Sequence, residues 1–186
     1  MDLKGISSQI EDKLSEIFSE ELTSGLAARE DSRAFGAMIE KKIADNWDQM
    51  CSDLGYPALE RPGRRTIFDF ALQFENRIIG IDVKTKDLDS TRYSDGGICA
   101  VGNLLKFLAN DNGMFLIAEF GHNKLSSQSE KRDFVYIRVA PFILFPQDAY
   151  RIETLVLDKY GLITQLTKFG RKLIGIGILL IFMICS

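Results

Sequence analysis

Thr66-Ile67-Phe68-Asp69-Phe70-Ala71-Leu72-Gln73-Phe74, then Glu75-Asn76, then Arg77-Ile78-Ile79-Gly80-Ile81-Asp82-Val83-Lys84-Thr85 is the stretch that decides the fold. Both outer runs are aromatic and aliphatic, which predicts strands, and the polar pair between them predicts a tight turn, although the favoured Asn-Gly is absent. In a strand, residues two apart share a face. Asp82 and Lys84 therefore project together, while Ile81 and Val83 project to the other side. Charges inside an apolar strand bring no packing benefit. Asp69 interrupts the first run in the same way, and a hairpin lays it beside the strand bearing Asp82.

An acidic residue two before a lysine occurs at Glu11-Asp12-Lys13, Glu40-Lys41-Lys42 and Asp82-Val83-Lys84. In the first two, helical spacing turns acid and lysine apart. Only the third lies in a strand. Two facing carboxylates repel unless a cation sits between them. Magnesium suits such a place, because it takes a few carboxylate oxygens and fills its remaining positions with water and phosphate. It lowers the pKa of a bound water and stabilises charge on a phosphodiester, and a neighbouring lysine orients that water or neutralises the developing charge.

Working outward, Ile6, Ile10, Leu14, Ile17, Phe18 and Leu22 recur at helical spacing, and Gly25 predicts that helix's end. Asp31 or Ser32 is placed to cap a second helix, with Phe35, Ile39, Ile43, Trp47 and Met50 on its apolar face. Gly55, Pro57, Pro62 and Gly63 mark a loop. After the hairpin come a polar loop at 86–97, a helix over 98–110, and strands over 114–120 and 134–139. A helix between strands allows a crossover, so the expected class is α/β with a mixed sheet flanked by helices. The expected division is an N-terminal helical segment at 1–30, a core at 31–165 and a hydrophobic C-terminal tail at 166–186.

At 186 residues the chain suits one buried core. Three scattered cysteines, Cys51, Cys99 and Cys185, form no C-x-x-C pair. They argue against a disulfide framework or a zinc site and for a reducing compartment. The first residues lack the apolar stretch of a signal peptide, so a cytoplasmic location is expected. The net charge of -3 conceals an asymmetry: residues 1–60 carry 13 acidic and 6 basic side chains, residues 61–186 carry 13 acidic and 17 basic. The basic part suits a polyanionic partner. His122 has no second histidine or cysteine near it in sequence, so it reads as a surface residue.

The order helix, hairpin with Asp and then Asp-x-Lys, helix, strand is similar to the PD-(D/E)xK nuclease superfamily, and Gly80-Ile81-Asp82-Val83-Lys84-Thr85-Lys86 resembles the second catalytic strand of a type II restriction endonuclease. Phe68, where the family's name has proline, departs from the pattern. The resemblance implies a restriction-endonuclease-like sheet, cleavage of double-stranded DNA with Mg2+ and no small-molecule cofactor. It makes Asp69, Asp82 and Val83 the metal ligands, Lys84 the residue that handles water, and Glu40 a supporting acid. A two-fold target suggests a homodimer. Arg64, Arg65, Lys86, Arg92 and Lys124 are candidate DNA contacts. A repair or recombination nuclease of the same superfamily, and a non-catalytic DNA-binding or assembly module, are the alternatives.

The bland counterparts are a structural Asp82–Lys84 ion pair on a half-exposed strand, an edge-protecting Asp69 and a solvated Glu40. Residues 173–185 form an apolar run shorter than the roughly 20 residues of a membrane helix. A buried element, an interface, an anchor and a shifted reading frame remain open for it, and membrane association is not expected.

Overall fold

The computed structural model describes residues 2–24, 26–27, 32–60, 66–89, 98–109, 112–123, 131–145, 150–157 and 161–168. At its centre is the hairpin. β2 (Phe70–Phe74) and β3 (Arg77–Asp87) pair antiparallel from Phe74↔Arg77 to Phe70↔Ile81. Glu75 makes the turn with φ 52°, and the Asn112 side-chain amide donates to the Asn76 carbonyl at 3.2 Å. β5 (Gly113–His122) runs parallel to β3, and β7 (Phe134–Pro141) runs antiparallel to β5. The sheet order is β2-β3-β5-β7. The chain is thus α/β with a mixed four-stranded sheet.

Helices cover both faces. α1 (Leu3–Ile17) starts at Asp2, whose Oδ1 accepts the Gly5 N–H at 3.0 Å, satisfying one donor left open at a helix start. It buries Ile6, Ile10 and Leu14, followed by Phe18. A short α2 (Ser19–Ser24) comes next. α3 (Ser32–Leu54) buries the predicted stripe Phe35, Ile39, Ile43, Trp47 and Met50. Together they seal one sheet face, lined by Phe70, Leu72, Ile79, Ile81, Val83, Leu116, Ala118 and Phe120. Residues of the 1–30 segment therefore share this core with those after it.

The crossover between β3 and β5 differs from the single helix expected over 98–110. The first residues of that expected helix form β4 (Ile98–Ala100), and α4 (Val101–Ala109) follows. β4 pairs with β9 (Gly161–Lys168), and β8 (Tyr150–Leu157) completes a second sheet in the order β4-β9-β8. The strand state of Ile98–Ala100 comes from main-chain bonds to a partner far along the chain, which local periodicity does not register. A two-residue pairing joins β1 (Leu26–Ala27) to β6 (Lys131–Arg132).

α4 covers the other face of the main sheet. Leu104 and Phe107 pack with Phe115 and Ile117 of β5, and with Ile67, Phe68 and Ile78. Gly80 permits this closeness: a Cβ there would lie 2.5 Å from the Phe68 ring and 3.2 Å from Phe107. Phe68 and Phe107 instead meet above the bare backbone, their ring centroids 5.0 Å apart. The run at 173–185 lies outside the described residues. Among the described residues no helix is long and apolar enough to cross a membrane.

β7 ends the sheet order, so its outer edge presents main-chain donors to α1. Glu11 on α1 answers one of them, its Oε2 accepting the Val139 N–H at 2.6 Å. A half-buried amide bonded to a carboxylate is costly to orphan. Glu11→Ala is expected to lower the unfolding free energy by about 1–3 kcal/mol. Replacing its exposed neighbour Asp12 by Ala should change it by about 0.5 kcal/mol or less, with urea unfolding as the measurement.

Candidate active site

The pleat of β3 sorts its side chains. Ile79, Ile81 and Val83 enter the core under α1 and α3, so Gly80, Asp82 and Lys84 face the α4 side. α4 packs on that side against the first part of the strands. Where β3 passes from Gly80 to Asp82, and β5 from Ile117 to Glu119, the face turns from apolar to charged. This half lies at the carboxyl ends of two parallel strands, where α/β sheets bind their ligands.

β2 begins at Phe70 and not at the expected Thr66. Ile67 and Phe68 are adjacent in sequence, yet both pack in the α4 cluster, which a regular strand's alternation forbids. Asp69 is the hinge between this segment and the ladder. Its N–H still donates to the Ile81 carbonyl at 2.9 Å. Its Oδ2 then accepts the Val83 N–H at 2.8 Å, a bond that a strand's main-chain carbonyl would ordinarily supply. The Asp69 carboxylate is thereby tied to the backbone of β3 and brought next to Asp82.

Asp82 is surrounded. Its side chain is only 15% exposed, and its Oδ1 accepts the Lys84 ammonium at 2.8 Å. Burial pushes its carboxyl up to about 7; Lys84 opposes the rise through its charge and hydrogen bond, and Asp69 adds to it. A buried carboxylate beside a second carboxylate is short of positive charge, and one ammonium does not make up the deficit. A divalent cation would. The donor set fits magnesium, for which two carboxylates suffice when water and phosphate complete the shell.

Val83 buries its side chain in the α1 and α3 core, leaving a metal only its main-chain oxygen. In a strand the N–H and C=O of one residue point to the same side, so this oxygen faces the side of β3 that Asp69 occupies. Lys86 follows Lys84 on the same face, half-buried and opposite Gly121. Glu40 lies on α3, whose apolar stripe packs on the other face of the sheet, and Lys84 and Asp69 are the groups that shift the Asp82 carboxyl. Among the described residues no three His, Cys, Asp or Glu side chains gather into a metal-binding group. Arg64, Arg65, Arg92 and Lys124 lie outside the described residues.

Glu119 was passed over in the sequence, and His122, misplaced there, packs on the sheet face away from Asp82. Glu119 is the Cα partner of Lys84 across the β3–β5 ladder, and it was marked by being the one charge in an otherwise apolar strand. His122, expected at the surface, is 2% exposed. It continues the buried row Met114, Leu116, Ala118, Phe120, and its ring meets the Phe35 ring with centroids 4.6 Å apart. Burial lowers its pKa. The alternation that gives His122 away is visible in the sequence once β5 is carried past Phe120.

The raised Asp82 carboxyl has a signature in stability. A folded group that binds its proton more tightly than the unfolded chain stabilises the fold fully at pH values below the unfolded pKa, and this contribution is lost as pH climbs through the folded one. Between pH 3.8 and about 7 the wild type should therefore lose ground steadily to Asp82→Asn, and magnesium should reduce that loss. Chemical denaturation across this range measures it; a difference independent of pH would mean that Asp82 is solvated. No protein-family model matches the chain, and no curated protein matches it either.

Proposed function

We propose that the chain is a magnesium-dependent endodeoxyribonuclease of the PD-(D/E)xK type on a restriction-endonuclease-like fold, cutting double-stranded DNA as a type II-like restriction enzyme does. One observation carries the reading: the Asp82 carboxyl, largely buried and held at 2.8 Å by Lys84 with Asp69 beside it, beyond the apolar cluster of α4. A merely structural ion pair gains little from such burial, because desolvation offsets its attraction. A cation site needs this excess of negative charge.

Bound magnesium would supply Lewis-acid stabilisation of the phosphate and a more acidic water. Asp69 and Asp82, with the Val83 main-chain oxygen, are the groups that would hold it. The bond from the Val83 N–H fixes the direction of the Asp69 carboxylate before any ligand arrives, and such preorganisation is what electrostatic catalysis requires. Lys84 then orients the attacking water or offsets negative charge growing on the phosphate. Glu40 would support the centre from α3. The substrate's remaining phosphates fall to Lys86 and to Arg64, Arg65, Arg92 and Lys124. Two copies would cut the two strands of a symmetric target in the cytoplasm.

Plasmid DNA incubated with the purified chain and magnesium should be nicked and linearised, and chelator should stop the reaction. Asp82→Asn and Lys84→Ala should each slow cleavage by about a hundredfold or more. Cleavage by Asp82→Asn at the wild-type rate would sink the site. Discrete fragments support restriction, whereas preference for branched or damaged DNA would indicate repair or recombination. DNA binding without cleavage would indicate a non-catalytic module.

A further inference from the structure

Next to Lys84 the sheet carries a second built arrangement. Glu119 is its partner in the parallel ladder, so the two side chains leave the sheet on one face, about 4.8 Å apart at their strands. The Tyr136 O–H donates to Glu119 Oε1 at 2.8 Å. Burial and the Glu119 carboxylate push the phenol pKa up, so it remains a donor. Tyr136 is paired with Gly121 across β5 and β7, and its ring fills the place that any Cβ on Gly121 would take. Arg138, the partner of Glu119 on β7, lies against the same ring at 5.1 Å. Glu119 is therefore aimed by a tyrosine that is itself seated on a bare backbone.

The ammonium of Lys84 rests on Asp82, where it supplies the positive charge that a divalent cation would bring. A cation binding Asp82 would compete with it for the carboxylate and repel it across that group. A displaced lysine, with a long and flexible stem, drifts into water unless another anion receives it. We propose that Glu119 is a positioning residue that takes the Lys84 ammonium when a divalent cation occupies Asp82, keeping the lysine beside the bound phosphate. This rests on the reading of Asp82 as a metal ligand. Tyr136 and Gly121 hold the receiving carboxylate in place.

The test is calorimetric titration of the whole chain with manganese, a tighter-binding probe than magnesium for many sites. Glu119→Gln keeps an acceptor for Tyr136 and removes the charge. Lys84 should then cling to Asp82, and manganese affinity should fall about tenfold, the size expected of directly coupled neighbours. In a Lys84→Ala background the same substitution should have no further effect. Equal weakening in both backgrounds would mean that Glu119 acts on the cation directly, and no weakening in either would mean that it plays no part; both overturn the proposal and leave the metal site standing. A wild type that binds no manganese overturns the metal reading as well. Tyr136→Phe should weaken manganese binding in the same direction by less, and it carries the test if Glu119→Gln does not fold.

Discussion

β3 is held in register from both sides, and the rest of the molecule depends on that register. The two-residue turn fixes it against β2, and the parallel ladder fixes it against β5. With this register Ile79, Ile81 and Val83 fall under α1 and α3, while Gly80 lies under α4 with Asp82 and Lys84 beyond it. A slip of one residue would exchange the two sets, putting both charges beneath α3 and driving Ile81 into the Phe68 and Phe107 rings. Packing on one face and chemistry on the other are thus specified by the same pairing.

Along the α4 side three segments change character close together. Phe68 gives way to Asp69 and Gly80 to Asp82, while on β5 Ile117, the partner of Asp82, gives way one step later to Glu119, the partner of Lys84. The apolar part lies under α4, and the charged part lies beyond it, with Asp82, Lys84 and Glu119 half-buried. Asp82 is consequently buried enough for its proton affinity to rise, while Lys84 keeps 26% of its side chain exposed. Asp69 joins the parts. It leaves the ladder as a strand residue but keeps a main-chain bond through its side chain, so the chain turns away toward α4 without orphaning the Val83 amide.

The opposite edge shows the same economy of main-chain donors. β7 has α1 alongside it, and Glu11 takes the Val139 N–H, which blunts an edge otherwise open to pairing with another chain. At the end of β5, His122 packs on Phe35, and the Arg132 guanidinium lies over that ring at 5.3 Å. Buried polar groups there are arranged around an aromatic ring on the face away from Asp82.

By itself the sequence determined what alternation and periodicity can encode. The stripes of α1 and α3, the hairpin, the mixed class and the shared face of Asp82 and Lys84 all follow from short-range spacing, because side-chain direction repeats every two or 3.6 residues whatever surrounds it. The row that buries His122 was there to be read as well. Tertiary structure alone decided the rest. Ile98–Ala100 became a strand because β9 pairs with it, Asp69 left the ladder because Ile67 and Phe68 are drawn together under α4, and Glu119 came beside Lys84 through a parallel crossover. Each of these depends on which distant strand supplies a neighbour, and no local period carries that information.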